Sequence, residues 1–193
     1  MKRICVYCGS SPGFGPAYVE AAKNLGTEIT RSGLQLVFGG AEVGLMGVVA
    51  DAVIGAGGKA IGVIPKSFAS KVSHRGLADL RIVDSMHERK QLMFDLSDAF
   101  VALPGGFGTI EELTEILTWA QLGIHQKPCG LLNISGYYDS FLSFLDHAVA
   151  EEFVKQEHRN MLLVSDNPRS LFKLFSSYTI PTVEKWTGIQ TRT

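Results

Sequence analysis

The chain carries the sequence FVALPGGFGTIEE at residues 100–112. Its first four residues, Phe100 to Leu103, form an apolar run typical of a buried strand, and a glycine-rich loop and a helical pattern follow directly. A strand that passes through glycines into a helix gathers backbone N–H groups and the positive end of a helix dipole at one point. This order predicts a βα unit of a parallel sheet, with an anion-binding turn at the carboxyl end of its strand.

Short apolar runs alternate with helical patterns along the rest of the chain. Further strands are predicted at Ile4–Cys8, Leu34–Phe38, Ala60–Ile64, Leu80–Val83, Cys129–Leu132 and Met161–Val164. Helices are predicted at Ala17–Arg31, Leu45–Ile54, Met86–Leu96 with Ser85 as N-cap, from the glycine loop to Leu122, at Tyr137–Glu151 and from Ser170. Residues 66–76 are polar and show little periodicity.

This alternation predicts the architecture. Strands joined by helices form right-handed crossover units, and apolar strands without a polar face indicate a sheet that is covered on both sides. We therefore expect one doubly wound (Rossmann-like) α/β domain over residues 1–180, a parallel sheet with helices on both faces. Residues 181–193 are expected to form a peripheral tail.

The composition narrows the class of protein. Of the 193 residues, 46% are hydrophobic and 19% are charged, which indicates a folded core rather than disorder. Proteins that bind nucleic-acid polymers carry a surplus of basic residues, so the net charge of −1 argues against this class of function. Neither a membrane-spanning apolar run nor a secretory signal pattern is visible, so we expect a soluble cytoplasmic protein without membrane partners.

The residues typical of metal, disulfide and serine-hydrolase chemistry are absent or wrongly spaced. Cys5, Cys8 and Cys129 are few and odd in number, and the CxxC pair lies in an apolar run, so packing is the favoured interpretation. The five histidines show no zinc spacing, and no metal is predicted. A Gly-x-Ser-x-Gly nucleophile elbow is also absent.

Ten of the 21 glycines lie in three loops that follow predicted strands, at residues 9–15, 39–47 and 105–108. In a doubly wound sheet, ligands bind beyond the carboxyl ends of the strands. The third loop lacks the last glycine of a dinucleotide fingerprint, since Glu111 stands there, and it lacks a P-loop lysine. A packed turn is one interpretation of this loop; phosphate binding is favoured because Thr109 and a helix start adjoin it.

Charged residues on two helices point to the same crevice. Arg89 and Lys90 lie at a helix start, where cations oppose the helix dipole, and an anion above them would explain this. The alternative is a solvated face paired with Glu88. Helical spacing turns Glu111 toward solvent, whereas Glu112 lies at the edge of the apolar stripe and can face the crevice.

The motifs PGG-x-GT-x-x-E at 104–112 and MH-x-RK at 86–90 resemble the signature pair of the LOG (Lonely Guy) family, as does GG-x-x-VGLMG at 39–47. The similarity covers Ile4 to Leu174. It implies a homodimeric cytokinin riboside 5′-monophosphate phosphoribohydrolase without a cofactor, and bacterial members also cleave AMP. It further implies that Arg89 and Glu112 are the catalytic pair. The older family label of lysine decarboxylase has no support in these residues.

The resemblance and the loops together predict a substrate site for a nucleoside 5′-monophosphate. Its residues are Gly9, Ser10, Gly39, Gly40, Met86, Arg89, Lys90, Gly105, Gly106, Phe107, Gly108, Thr109, Ile110, Glu111, Glu112 and Thr118. One departure is Lys71, where many relatives carry Glu, which bears on base preference. The alternative function is a non-catalytic carrier of a nucleotide or of the molybdenum cofactor, which would not need Arg89 and Glu112 together.

Overall fold

Apolar runs of four to six residues form one parallel sheet in the computed structural model, which describes residues 1–181. The strands are β1 (Arg3–Tyr7), β2 (Gln35–Phe38), β3 (Ala60–Pro65), β4 (Asp79–Val83), β5 (Ala99–Ala102), β6 (Cys129–Leu132) and β7 (Leu162–Ser165). All six pairings are parallel, and the order across the sheet is β4-β3-β2-β1-β5-β6-β7. The predicted doubly wound α/β fold is confirmed.

Helices cover both faces of this sheet. They are α1 (Pro16–Arg31), α2 (Gly44–Gly55), α3 (Lys66–Val72), α4 (Met86–Leu96), α5 (Phe107–Gln121), α6 (Asp139–Ala150), α7 (Gln156–Arg159) and α8 (Pro168–Ser176), with a 3-10 turn at Ile134–Gly136. Buried side chains of α1, α2 and α8 pack on one face, and buried side chains of α4 and α5 pack on the other together with partly buried ones of α6. Two-sided burial of this kind requires the apolar strands that the sequence shows.

The strand order sets the position of the site. The chain moves from β1 outward to β4 on one side, then returns to place β5 on the other side of β1. Helix α1 leaves β1 toward one face, and α5 leaves β5 toward the opposite face. The loops after β1 and β5 therefore separate, and this opens a crevice where doubly wound proteins bind their ligands.

Some elements differ from the sequence-based expectation. Residues 66–72, expected to be irregular, form α3; none of its residues is fully buried, so no apolar stripe marks it. The short helix α7 was also not predicted. Helix α6 starts at Asp139 rather than Tyr137, and α8 starts at Pro168, where the Asn167 side chain caps the Ser170 N–H at 3.2 Å. The predicted Ser85 cap is confirmed by its 3.1 Å bond from the Glu88 N–H.

The cysteines pack in the interior, as predicted. Cys5, Cys8 and Cys129 are buried free thiols, and burial raises the pKa of each. A reactive CxxC pair needs the opposite shift. Within residues 1–181, no helix is long and apolar enough to span a membrane, and no group of three or more His, Cys, Asp or Glu side chains could hold a metal. The tail was predicted at residues 181–193, and residues 182–193 lie outside the part of the chain that the structure describes.

Gly44 fixes the start of α2 against the loop after β1. Its φ is +57°, and a Cβ there would strike the backbone of Ser10 and Ser11. The next residue, Leu45, donates its N–H to the Gly9 carbonyl at 3.0 Å. Only glycine combines this φ with so close a backbone approach, so two of the three glycine-rich loops meet through Gly44.

We expect Gly44→Ala to lower the free energy of unfolding by roughly 1–3 kcal/mol or more, because left-handed strain and a backbone collision add. Chemical denaturation measures the change. Gly55→Ala is the matched control on the same helix, since its Cβ would meet open space. Equal stability of the two variants would contradict the proposed contact.

Candidate active site

The crevice at the carboxyl ends of β1 and β5 has a volume of about 280 Å³. Loops after β1, β2 and β5 and the first turns of α4 and α5 form its walls. The predicted site residues that line it are Gly9, Ser10, Gly39, Met86, Arg89, Gly106, Phe107, Gly108, Thr109, Glu111 and Glu112. The three glycine-rich loops are thus brought together with the two helices that carry the charged residues.

Arg89 and Glu112 form an ion pair across the crevice. The Nη1 atom of Arg89 on α4 lies 3.1 Å from Oε1 of Glu112 on α5, and the two side chains are only 12% and 11% exposed. Glu112 lies on the side of α5 that the helical spacing predicted. A cation and a carboxylate that are mostly buried interact more strongly than they would in water.

The Arg89 guanidinium is held from other directions as well. Its Nε donates to the Val63 carbonyl at 3.2 Å. Its Nη2 approaches Gly39 so closely that a Cβ at position 39 would overlap it. Gly39 was expected to belong to the substrate site. The structure adds that the absence of a side chain there makes room for Arg89.

Burial raises the pKa of the Glu112 carboxyl above its ordinary value, and the nearby Arg89 charge acts in the opposite direction. A carboxylate whose pKa is shifted toward neutrality is a stronger proton acceptor than an exposed one. The arrangement therefore combines a proton acceptor with a fixed cation. This pairing is typical of general acid–base chemistry.

The Lys90 side chain bonds to residues of helix α5 and not to Glu88. Its Nζ donates to Glu111 at 2.5 Å and to Glu115 at 2.9 Å. Burial lowers the pKa of Lys90, but these two hydrogen bonds outweigh that effect and raise it overall. The interpretation that paired Arg89 and Lys90 with Glu88 was wrong, because both cations pair with carboxylates on α5. The Glu88 carboxylate accepts the Asp84 N–H at 2.7 Å. The cations at the start of α4 are explained by acidic partners on α5.

The first turn of α5 presents its backbone to the crevice. Gly106, Phe107 and Gly108 are exposed, and the Phe107 side chain is 98% exposed at the mouth. The first N–H groups of a helix have no partner within it, so they are available to an anion. Thr109 is buried and packs its hydroxyl against Gly105. An anion here would meet main-chain donors first.

Five predicted site residues lie outside the lining of this crevice. Gly40 turns toward β3 and β4, Ile110 packs against the core, and Lys90 sits behind Glu111. Gly105 lines an adjoining cavity. Thr118 is exposed two turns further along α5 and lines a different cavity of about 150 Å³. Its predicted role in the substrate site stays a prediction.

The sequence analysis missed the cavity that adjoins the crevice. This second cavity has a volume of about 260 Å³ and shares Gly9, Ser10 and Gly106 with the first. Tyr18 and Tyr137 also line it. Tyr137 follows β6, another strand whose carboxyl end lies on this rim, and that position was the available signal.

A more open groove of about 610 Å³ lies between α1 and α8. Its charged residues are Glu20, Glu28, Asp166 and Arg169, and it lies apart from the three glycine-rich loops. We therefore place the candidate active site in the crevice that holds Arg89 and Glu112.

The sequence of this chain is similar to those of known proteins. A protein-family profile described as "Possible lysine decarboxylase" matches residues 46–175. The cytokinin riboside 5′-monophosphate phosphoribohydrolase LOG of Oryza sativa subsp. japonica is 49% identical over 178 residues, 92% of this chain and 74% of that protein. The enzyme of the same name from Rhodococcoides fascians is 49% identical over 165 residues, 84% of this chain and 83% of its own.

Solved structures resemble the fold. The molybdenum cofactor binding protein from Rippkaea orientalis superposes with a TM-score of 0.70 at 24% identity, covering 92% of this chain and 97% of that chain. Identity at this level supports a common architecture, and function has to be argued from the site.

We expect Gly39→Ala to displace the Arg89 guanidinium and so to raise the pKa of Glu112 further, because the main opposing charge moves away. Carboxyl ¹³C NMR titration measures this pKa. The thermal midpoint should fall as well, because a buried carboxylate that loses its cation partner destabilises the folded protein. Gly108→Ala is the control, because its Cβ enters open space in the same crevice. An unchanged Glu112 pKa in Gly39→Ala would contradict the assignment.

Proposed function

Because the chain belongs to the LOG (Lonely Guy) family of cytokinin riboside 5′-monophosphate phosphoribohydrolases, we propose that it hydrolyses the N-glycosidic bond of a nucleoside 5′-monophosphate. The products are the free base and ribose 5-phosphate. The substrate is AMP or its isoprenoid-modified relative. The observation that carries the proposal is the buried Arg89–Glu112 pair beside the start of α5.

The reaction suits a carboxylate and a fixed cation. Cleavage of an N-glycosidic bond passes through an oxocarbenium-like state with positive charge at C1′, as in glycoside hydrolysis. Glu112 would accept a proton from the attacking water and offset the positive charge at C1′. The water oxygen bonds to C1′, and the base leaves with the bonding electron pair and takes up a proton. Arg89 would hold the Glu112 carboxylate and orient the sugar phosphate.

The 5′-phosphate would lie at the start of α5. Arg89 in the crevice and Lys90 beside it are already paired with carboxylates. The exposed backbone at residues 106–108, with the positive end of the helix dipole, is therefore the anion-binding element that this proposal uses. Binding there requires no metal or other cofactor.

The decarboxylase name of the family profile describes another reaction. An amino-acid decarboxylase of the pyridoxal phosphate class needs a lysine amine that forms a Schiff base. Lys90, beside the crevice, is held by Glu111 and Glu115, and its raised pKa keeps the amine protonated. A phosphoribohydrolase is the better match to these residues and to the names of the relatives.

We also propose that the protein is a cytoplasmic homodimer. The family resemblance supports the dimer, and so does the position of Thr118 on an exposed part of α5 beside an apolar cavity. A partner subunit packed there would bring a second chain close to the crevice and give Thr118 a role that it lacks within one chain. Light scattering tests the dimer.

We expect the purified protein to release adenine and ribose 5-phosphate from AMP, as chromatography would detect. Adenosine should react with a kcat/KM at least about 100-fold lower, because it lacks the charge-assisted hydrogen bonds to phosphate, each of which contributes roughly 1.5–3 kcal/mol. A panel of nucleoside 5′-monophosphates, including N6-isoprenoid AMP, identifies the preferred base. Tight AMP binding without turnover would instead favour a carrier, and equal cleavage of adenosine would exclude the phosphate site.

We expect Glu112→Gln to lower kcat by about 10²–10⁴, the usual contribution of a general base. In the wild type, kcat/KM should rise with pH through the Glu112 pKa, because only the ionised carboxylate accepts a proton. Its midpoint should lie above the ordinary ~4.3 of glutamate, and Arg89→Met should move it higher. The control is Glu20→Gln on the exposed side of α1. Wild-type turnover by Glu112→Gln would exclude the assignment.

A further inference from the structure

We propose that Tyr137 is a positioning residue for the anion-binding loop at residues 104–108: its hydroxyl fixes the Gly105 carbonyl and thereby aims the Gly106 N–H. The hydroxyl of Tyr137 donates to the Gly105 carbonyl at 2.7 Å. This inference rests on the proposed function, because it assigns the loop to the 5′-phosphate of that substrate.

Three successive carbonyls, of the residue before this loop and of its first two residues, accept hydrogen bonds from outside the loop. The Tyr138 hydroxyl donates to Leu103 at 2.7 Å, the Gly9 N–H donates to Pro104 at 3.0 Å, and Tyr137 completes the set at Gly105. Two of the three donors are adjacent tyrosines that follow β6. The loop after β6 thus holds the loop after β5 in one conformation.

Peptide geometry carries the effect from carbonyl to amide. A trans peptide plane points its C=O and the following N–H in opposite directions. A fixed Gly105 carbonyl therefore fixes the Gly106 N–H on the side away from Tyr137. Gly106 lines both cavities, whereas Tyr137 lines the one without Arg89 and Glu112. The Gly106 N–H is then directed to the crevice where the phosphate would lie.

The loop needs this external restraint. Gly105 and Gly106 follow one another without side chains to limit their backbone. The Tyr137 ring is itself held edge-on by Tyr18 and Tyr138, at centroid distances of 5.6 and 4.9 Å. Because Tyr137 is 45% exposed, water can replace its hydroxyl bond at little cost to folding. Loss of the Tyr137 hydroxyl removes the restraint on the direction of the Gly106 N–H.

Tyr137→Phe tests the inference, because it keeps the ring and removes only the donor. The probes are ribose 5-phosphate, which carries the anion, and adenine, which does not; calorimetry measures both dissociation constants. We expect the Kd of ribose 5-phosphate to rise about fivefold, the equivalent of one ordinary hydrogen bond, and that of adenine to stay unchanged. KM for AMP should rise similarly while kcat stays within about twofold, because the phosphate is held equally before and during reaction.

Tyr18→Phe is the matched control, since the Tyr18 ring packs edge-on against Tyr137 in the same cluster, whereas the hydroxyl bonded to the Gly105 carbonyl belongs to Tyr137. An unchanged Kd of ribose 5-phosphate in Tyr137→Phe would overturn the inference. So would an equal rise for adenine, which indicates general damage, or the same rise in Tyr18→Phe, which indicates a ring effect.

The binding measurements separate this inference from the proposed reaction. If wild-type protein binds ribose 5-phosphate but releases no base from any nucleotide, the proposed function fails, and the Tyr137→Phe comparison still decides the positioning role. If wild-type protein cleaves AMP and Tyr137→Phe binds ribose 5-phosphate equally well, only the positioning role fails. If wild-type protein does not bind ribose 5-phosphate, the loop is no phosphate site and the inference is overturned.

Discussion

The chain leaves β1 and β5 toward opposite faces of the sheet, and this constraint determines where everything else in the site lies. Neighbouring parallel strands that send their helices the same way leave no gap between their connections. Here β1 and β5 are neighbours in space but far apart in sequence, and their helices diverge. The resulting opening receives the starts of α4 and α5 and the three glycine-rich loops. The candidate catalytic residues, which come from distant parts of the sequence, meet there.

The buried ion pair within this opening contributes to position more than to stability. Removing two charges from water costs about as much as their attraction returns, so a pair such as Arg89 and Glu112 adds little net stability. Its geometry is well defined, however, because the Val63 carbonyl and the bare backbone of Gly39 leave the guanidinium one place to lie. The pair thus keeps a carboxylate of raised pKa in a fixed orientation. That is a requirement for proton transfer rather than for folding.

Sequence patterns predict those parts of the structure that depend on near neighbours. The βα alternation, the Ser85 cap and the inward side of Glu112 all follow from local spacing, and all three are found. Helix α3 escaped prediction because it buries no side chain fully and so shows no apolar stripe. Contacts between residues that are far apart in the sequence were not predicted either.

Those long-range partners belong to tertiary structure. The carboxylates that hold Lys90 come from another helix, and no local rule prefers them to the adjacent Glu88. The role of Gly39 depends on a side chain fifty residues later. Tyr137 acts on a loop more than thirty residues before it. The sequence shows which residues could act chemically, but only the packing of distant segments shows which of them meet.

The anchoring of the Leu103, Pro104 and Gly105 carbonyls has a consequence for how such an enzyme diversifies. A phosphate-binding site built from main-chain amides depends on the backbone conformation rather than on particular side chains, so most single substitutions leave it intact. Side chains at the mouth, such as Met86 and Phe107, are exposed and carry little of the fold. Evolution can therefore change the residues that contact the base of the substrate while the anion-binding loop stays the same. New base preferences can then arise without changes at the proposed catalytic pair.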